Sequence, residues 1–153
     1  MCADVVTAEK RSRMMATIRG KDTAVELAVR RQLHALGYRF RLHRGDLSGR
    51  PDIVLPRFRV AVFVHGCFWH RHRGCGYAAT PKTRADFWQA KFEANVRRDA
   101  LAVESLARAG WRVAILWECA IGPDGLEAAN LARFRAWLEG QAAAPATSLL
   151  EIP

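Results

Sequence analysis

Apolar residues along this chain follow two rhythms, one helical and one extended. In DTAVELAVRRQLHALG (22–37), Val25, Val29, Leu33 and Leu36 recur at helical spacing, which predicts a helix with one apolar face. Thr23 with Glu26 three residues later fits a capping box, and Gly37 fits a C-terminal stop. YRFRLH (38–43) instead alternates apolar and basic residues, as a half-buried strand does. GDLSGRPD reads as a turn, and DIVLP and RVAVFVHG follow as two short strands rich in branched residues. Beyond the loop GYAATPKT, the stretch 84–110 reads as a long helix stopping at Gly110. WRVAILWE (111–118) is a further buried strand. PDGLEAANLARFRAWLEG (123–140) is a last amphipathic helix carrying Leu126, Leu131, Phe134 and Leu138.

Helix, three strands, helix, strand, helix is the order of an α/β domain with a mixed central sheet. Its 153 residues suit one domain with a real core, and no repeat divides it. Residues 1–20 are expected to form a basic arm or short helix. Its paired methionines either fill a gap in the core or meet DNA. Residues 21–140 form the domain, and the Ala/Pro-rich 141–153 a disordered tail. The longest apolar run, near residues 60–64, falls far short of the roughly 18–20 residues that span a bilayer. The N-terminus has no apolar stretch before its charges, and a cytoplasmic protein is expected. A net charge of +9 is high for one domain and points to a polyanionic partner, most often nucleic acid.

The chemistry concentrates in HGCFWHRHRGC (65–75), directly after a predicted strand. Clustered cysteine and histidine in a cytosolic chain point to a metal site rather than a disulfide. Cys67, His72 and Cys75 lie close together, and Cys119 follows the later strand. Three loop ligands and one from a neighbouring strand end would suit structural zinc, which takes four N or S donors. His70 competes with His72 for that role. His65 and His70 otherwise stand outside the set, free for chemistry. Pro51-Asp52 places a carboxylate at a strand start. A carboxylate on one strand and groups on the next can converge on Mg²⁺ in a nuclease. The architecture of this kind is the PD-(D/E)xK fold, although its acid-x-lysine slot here reads Phe63, Val64, His65. Histidine can replace the lysine as base or proton donor, and water with a backbone carbonyl can complete the Mg²⁺ shell.

GRPD, HGCFWH, the later FW of RADFW, and GWRVAILWEC together resemble the very-short-patch repair (Vsr) endonucleases, from about Thr7 to Leu138. The resemblance implies a PD-(D/E)xK restriction-endonuclease-like fold with structural Zn²⁺ and catalytic Mg²⁺. It implies an enzyme that nicks one strand of double-stranded DNA 5′ of the thymine in a T:G mismatch, the product of 5-methylcytosine deamination. Asp52 matches the family's catalytic, Mg²⁺-binding aspartate, and the main-chain carbonyl of Val64 a second metal contact. His70 matches the general base and His65 a second active-site histidine. Glu26 matches an acidic residue of the metal-water shell, while its capping role remains open beside this one. Cys67, His72, Cys75 and Cys119 match the zinc ligands, with His72 the least fixed by spacing. Phe68, Trp69 and Trp88 match aromatics that insert between bases, where a mismatch lowers the cost of unstacking. Met15 matches an arm residue entering from the opposite groove. Core packing is the alternative for Trp88 and Met15. Arg71, Arg73, Lys82, Arg84 and Lys91 could neutralise phosphates around the site.

A nucleoid-associated monomer is expected, because an asymmetric mismatch needs no two-fold symmetric reader. Mismatch-repair factors are further partners implied by family. Two other readings stay open: a zinc-stabilised DNA-binding module without catalysis, and a restriction-type nuclease cutting matched DNA.

Overall fold

The computed structural model describes residues 22–140 and 149–153, together with Thr7, Glu9, Lys10 and Arg13. Most of the expected arm over residues 1–20, Met15 included, lies outside the described residues. Helix α1 spans Ala24–Ala35. Strands β1 (Arg41–Leu42), β2 (Ile53–Leu55) and β3 (Val60–His65) follow. Helix α2 spans Ala85–Arg108 and leads into β4 (Arg112–Trp117). A small hairpin of β5 (Ile121–Gly122) and β6 (Gly125–Leu126) precedes α3 (Ala128–Glu139). The last strand is β7 (Leu149–Ile152).

The main sheet runs in the order β1-β2-β3-β4-β7. β1, β2 and β3 pair antiparallel; β3, β4 and β7 pair parallel. It is therefore the mixed sheet expected. The parallel pair β3–β4 needs a long crossover, which α2 and the loop before it supply.

Every residue of β3 is buried, because helices cover both faces of the sheet. Val60, Val62 and Val64 pack with Val29 and Leu33 of α1 and with Phe134 and Leu138 of α3. On the opposite face, Ala61 and Phe63 pack with Ala102 and Leu106 of α2. Each fully buried Val, Leu or Phe side chain contributes about 1.5–3 kcal/mol relative to exposure. The two cores fix β3 from both sides and hold its C-terminal end, at His65, rigid.

Three expectations change. The alternating segment 38–43 forms only a two-residue edge strand, with both residues exposed. Its pattern is still used, since Tyr38 is buried and Phe40 packs against the core. The helix expected from residue 123 starts at Ala128. Gly125 adopts φ +103° and closes the β5–β6 hairpin, where a Cβ would lie 2.4 Å from Gln32 Oε1. Gln32 clamps that hairpin, donating to the Leu126 carbonyl at 2.8 Å and accepting its N–H at 2.9 Å. Finally, a disordered tail over 141–153 does not hold at its end. Leu150 and Ile152 are buried while Leu149 and Glu151 are exposed. That two-residue period builds β7, and the preceding Ala/Pro-rich stretch hides it in the composition. Among the described residues, no helix is long and apolar enough to cross a membrane.

Candidate active site and metal centre

The site grows from the C-terminal ends of β3 and β4. Their register pairs Val60 with Arg112 and His65 with Trp117. Extended two residues, it sets Cys119 level with Cys67, which is why a distant cysteine reaches the loop. Ligand atoms of Cys67, His72, Cys75 and Cys119 all lie within 4.8 Å of one another. His72 Nδ1 is 3.6 Å from Cys67 Sγ and 3.4 Å from Cys119 Sγ. A tetrahedral zinc with ordinary bond lengths has N···S edges of about 3.6 Å, so the set fits that ion. Burial pushes the Cys67 thiol up to about 12. A dication among the sulfurs would reverse that preference. Trp117 supports the set from beneath, stacked on the His72 ring at 4.3 Å. Cys67 N–H donates to Glu118 Oε2 at 3.1 Å, tying the loop to the end of β4.

His70 is turned away from the sulfurs. Its ring stacks on His65 at 3.8 Å, nearly parallel. Its Nδ1 lies 2.6 Å from Asp99 Oδ2 on α2. Of the two histidines, His72 is thus the one gathered with the sulfurs, and His70 the one gathered with His65 and Asp99. Turns separate them: His70 N–H bonds Gly66 O, and His72 N–H bonds Cys67 O. A carboxylate at Nδ1 selects the tautomer that carries its proton there, with Nε2 as the acceptor. Burial, with the neighbouring His70 adding to it, pulls the His65 imidazole down to about 3. His65 therefore stays neutral at working pH.

Asp52 precedes β2, whose antiparallel register with β3 sets Ile53 opposite Val62. This brings Asp52 beside Val64, whose N–H donates to Asp52 Oδ2 at 2.7 Å. Burial pushes the Asp52 carboxyl up to about 6, against that N–H bond and with the Glu26 charge reinforcing it. A half-buried carboxylate with a buried second carboxylate nearby is a hard-oxygen donor set that fits Mg²⁺. Glu26 itself is buried at the start of α1. Its N–H bonds Thr23 Oγ1, and its Oε2 accepts from Asp22 N–H at 3.0 Å. The cap is real, but it reaches Asp22 rather than Thr23, and it leaves Glu26 close enough to act on Asp52.

The aromatic residues gather on one face of α2. Phe68 and Trp69 are both half-buried, 5.0 Å apart, and both contact Trp88. Phe92 closes the underside, 5.2 Å from Phe68. Adjacent residues thus share one cluster. Lys91 Nζ stands 5.3 Å over the Trp69 ring, and Asn95 donates to the Trp69 carbonyl at 3.1 Å. Trp88, Phe92, Asn95, Asp99, Ala102 and Leu106 form one helical stripe. Asp99 was the missed member. Its signal was available: two polar residues continuing an otherwise apolar stripe must meet polar partners.

A mixed sheet whose strand ends gather a carboxylate, two histidines, a zinc-type donor set and an aromatic cluster has the groups that a nucleic-acid hydrolase needs. The comparisons with known proteins narrow this class. Residues 3–76 match the family described as DNA mismatch endonuclease Vsr. The chain is 50% identical over 128 residues to the type II nicking enzyme V.XorIIP of Xanthomonas oryzae pv. oryzae, covering 84% of this chain and 93% of that protein. It is 41% identical over 143 residues to the DNA mismatch endonuclease Vsr of Escherichia coli, covering 92% and 91%. It is 43% identical over 113 residues to the type II nicking enzyme V.NaeI of Lentzea aerocolonigenes, covering 71% and 67%. The chain belongs to the Vsr family of DNA endonucleases.

Proposed function

We propose that the chain is a Mg²⁺-dependent mismatch endonuclease on a PD-(D/E)xK-like fold. It nicks one strand 5′ of the thymine in a T:G mismatch. The observation that carries this is the single loop after β3. It places His70 at Asp99, His72 among the sulfurs, and Phe68 and Trp69 against Trp88. Hydrolysis, bracing and base contact are thus coupled within a few residues.

Asp52 and the Val64 carbonyl would hold Mg²⁺, which stabilises charge on the phosphate and activates water. Val64 N–H keeps Asp52 aligned for that task. His70 takes the proton of the attacking water on Nε2, and Asp99 stabilises the imidazolium that results. His65, neutral and stacked on His70, orders the phosphate or its water. Cys67, His72, Cys75 and Cys119 hold Zn²⁺ and brace the loop. Phe68, Trp69 and Trp88 enter the base stack, with Met15 approaching from the other groove. The enzyme acts as a cytoplasmic, nucleoid-associated monomer, with mismatch-repair factors as further partners.

The test is cleavage of matched T:A and mismatched T:G duplexes with varied flanks, with Mg²⁺ or with chelator. A single Mg²⁺-dependent nick in T:G alone is expected. A double-strand break in matched DNA would make it a restriction-type enzyme instead. DNA binding with no metal-dependent product would make it a binding module.

A further inference from the structure

A second polar cluster lies on the α1 side of Asp52, beyond the histidine pair. Arg30 is its centre, with its side chain only 11% exposed. Nη1 donates to Asp22 Oδ1 at 2.8 Å, and Nη2 donates to Glu26 Oε2 at 3.1 Å. The same Nη2 lies 2.9 Å from His43 Nε2. Asp22, Glu26 and His43 could by their spacing surround a metal ion. The guanidinium already occupies the middle of the set, so Arg30 is the resident cation there.

That contact fixes the chemistry of His43. A guanidinium carries only donors and stays protonated. At 2.9 Å from it, His43 Nε2 must be an acceptor. A neutral imidazole that accepts on Nε2 carries its proton on Nδ1. The competing arrangement, a charged His43 between Asp22 at 3.5 Å and Glu26 at 3.8 Å, would set two donors against each other at Arg30. The shorter contact decides. His43 Nδ1 stands 3.9 Å from Asp52 Oδ1. This is too long for a direct hydrogen bond but close enough for the N–H dipole to orient the carboxylate. Asp52 Oδ2 is already held by Val64 N–H.

The backbone agrees. The β1–β2 register pairs Leu42 with Ile53, which sets His43 opposite Asp52, and His43 N–H meets the Asp52 carbonyl at 3.4 Å. His43 also adopts φ +45°, a left-handed conformation unfavourable for a residue with a Cβ and one that functional sites retain.

We propose that Arg30 and His43 are positioning residues of the active site. Arg30 locks His43 with its proton on Nδ1, and His43 fixes the outer oxygen of Asp52 for its cation. The inference rests on the reading of Asp52 as the metal-binding carboxylate.

Two measurements on the full chain test it. Long-range ¹H–¹⁵N spectra of the imidazoles should show His43 neutral with its proton on Nδ1, and Arg30→Met should abolish that pattern. A charged His43, or one protonated on Nε2, in the unsubstituted protein would overturn the proposal. The second measurement is Mn²⁺ affinity by electron paramagnetic resonance. Loss of an outer partner of a metal ligand costs about 10–100-fold in affinity, and His43→Phe should show that loss. His43→Asn, whose amide N–H can take the place of Nδ1–H, should recover most of it, whereas His43→Gln should not. Wild-type affinity in His43→Phe would refute the positioning role, provided Asp52→Asn lowers it. If Asp52→Asn also binds as wild type, the metal reading of Asp52 fails. In that case the imidazole spectra still decide the Arg30–His43 link.

Discussion

The sulfur cluster and the carboxylate–histidine cluster hang from the same strand end, yet they are built on opposite plans. Cys67, His72, Cys75 and Cys119 turn toward one another. Their partners are each other. Asp52 and His70 are each held by a group outside the set: Val64 N–H for Asp52, Asp99 for His70. A closed set stores stability, because the ion it binds holds distant chain segments together. An externally held set leaves one face of each group available for a substrate. The two plans can be told apart by what breaks when one member is removed.

The largest effect expected is a dissociation of folding from activity. Asp52→Asn should lose cleavage by about a thousandfold or more, because metal-assisted charge stabilisation is worth several kcal/mol. Its melting temperature should hold or rise, since a carboxyl whose charge is disfavoured by desolvation has been removed. Cys67→Ser should lose zinc, melt many degrees lower and lose activity with it, as structural zinc contributes about 10–16 kcal/mol in small zinc domains. Thermal melts, zinc content and nicking assays on both variants check the contrast. It would collapse if Asp52→Asn unfolded, or if Cys67→Ser melted as wild type does.

Next in size is the histidine pair of the loop. His70→Ala should lower kcat by about 10²–10⁴-fold, the usual worth of a positioned general base, with its zinc content unchanged. Asp99→Asn should cost less, because the imidazole remains and only its orientation and charge partner are weakened. His72→Ala should show the reverse pattern, losing zinc first. If His70→Ala released the zinc, the two histidines would have to exchange places.

Much of this division was legible in the residues, and the failures have physical causes. β3 and β4 could be read because continuous apolar runs are what a strand covered on both faces needs. The loop could be read because its residue types are rare in combination. Asp99 was harder to read: it continues an apolar stripe, but a carboxylate on a charged helix looks solvated until a loop folds over it. Arg30 and His43 were missed for a related reason. They sit on different elements, and only the β1–β2 register brings His43 opposite Asp52. β7 was lost because its four residues follow a stretch whose composition outweighs them. Spacing could not separate His70 from His72, since alternate turns in a loop have no fixed period.

The smallest effect is also the most discriminating, because it sets two desolvated groups of the same site against each other. Asp52 titrates near 6 in the folded protein, against roughly 3.9 in an unfolded chain. Between those values the native state holds a proton that the unfolded state has released. Stability from Asp52 therefore falls as pH rises through that window. His65 titrates near 3, against roughly 6.5 when unfolded. There the unfolded state holds the extra proton, and stability rises with pH. Between about pH 5 and 6 the two slopes oppose, each at most about 1.4 kcal/mol per pH unit. Without added Mg²⁺, Asp52→Asn should expose the His65 slope and gain stability with pH relative to wild type. His65→Gln should expose the Asp52 slope and lose it. An ion held by the sulfur cluster would contribute equally to all three proteins, so it would cancel in differences taken at matched pH. Added Mg²⁺ favours the ionised carboxylate and should make wild type follow the Asp52→Asn curve. Denaturant titrations at half-unit steps measure this. Parallel curves for all three proteins would mean that neither Asp52 nor His65 is shifted from its ordinary range.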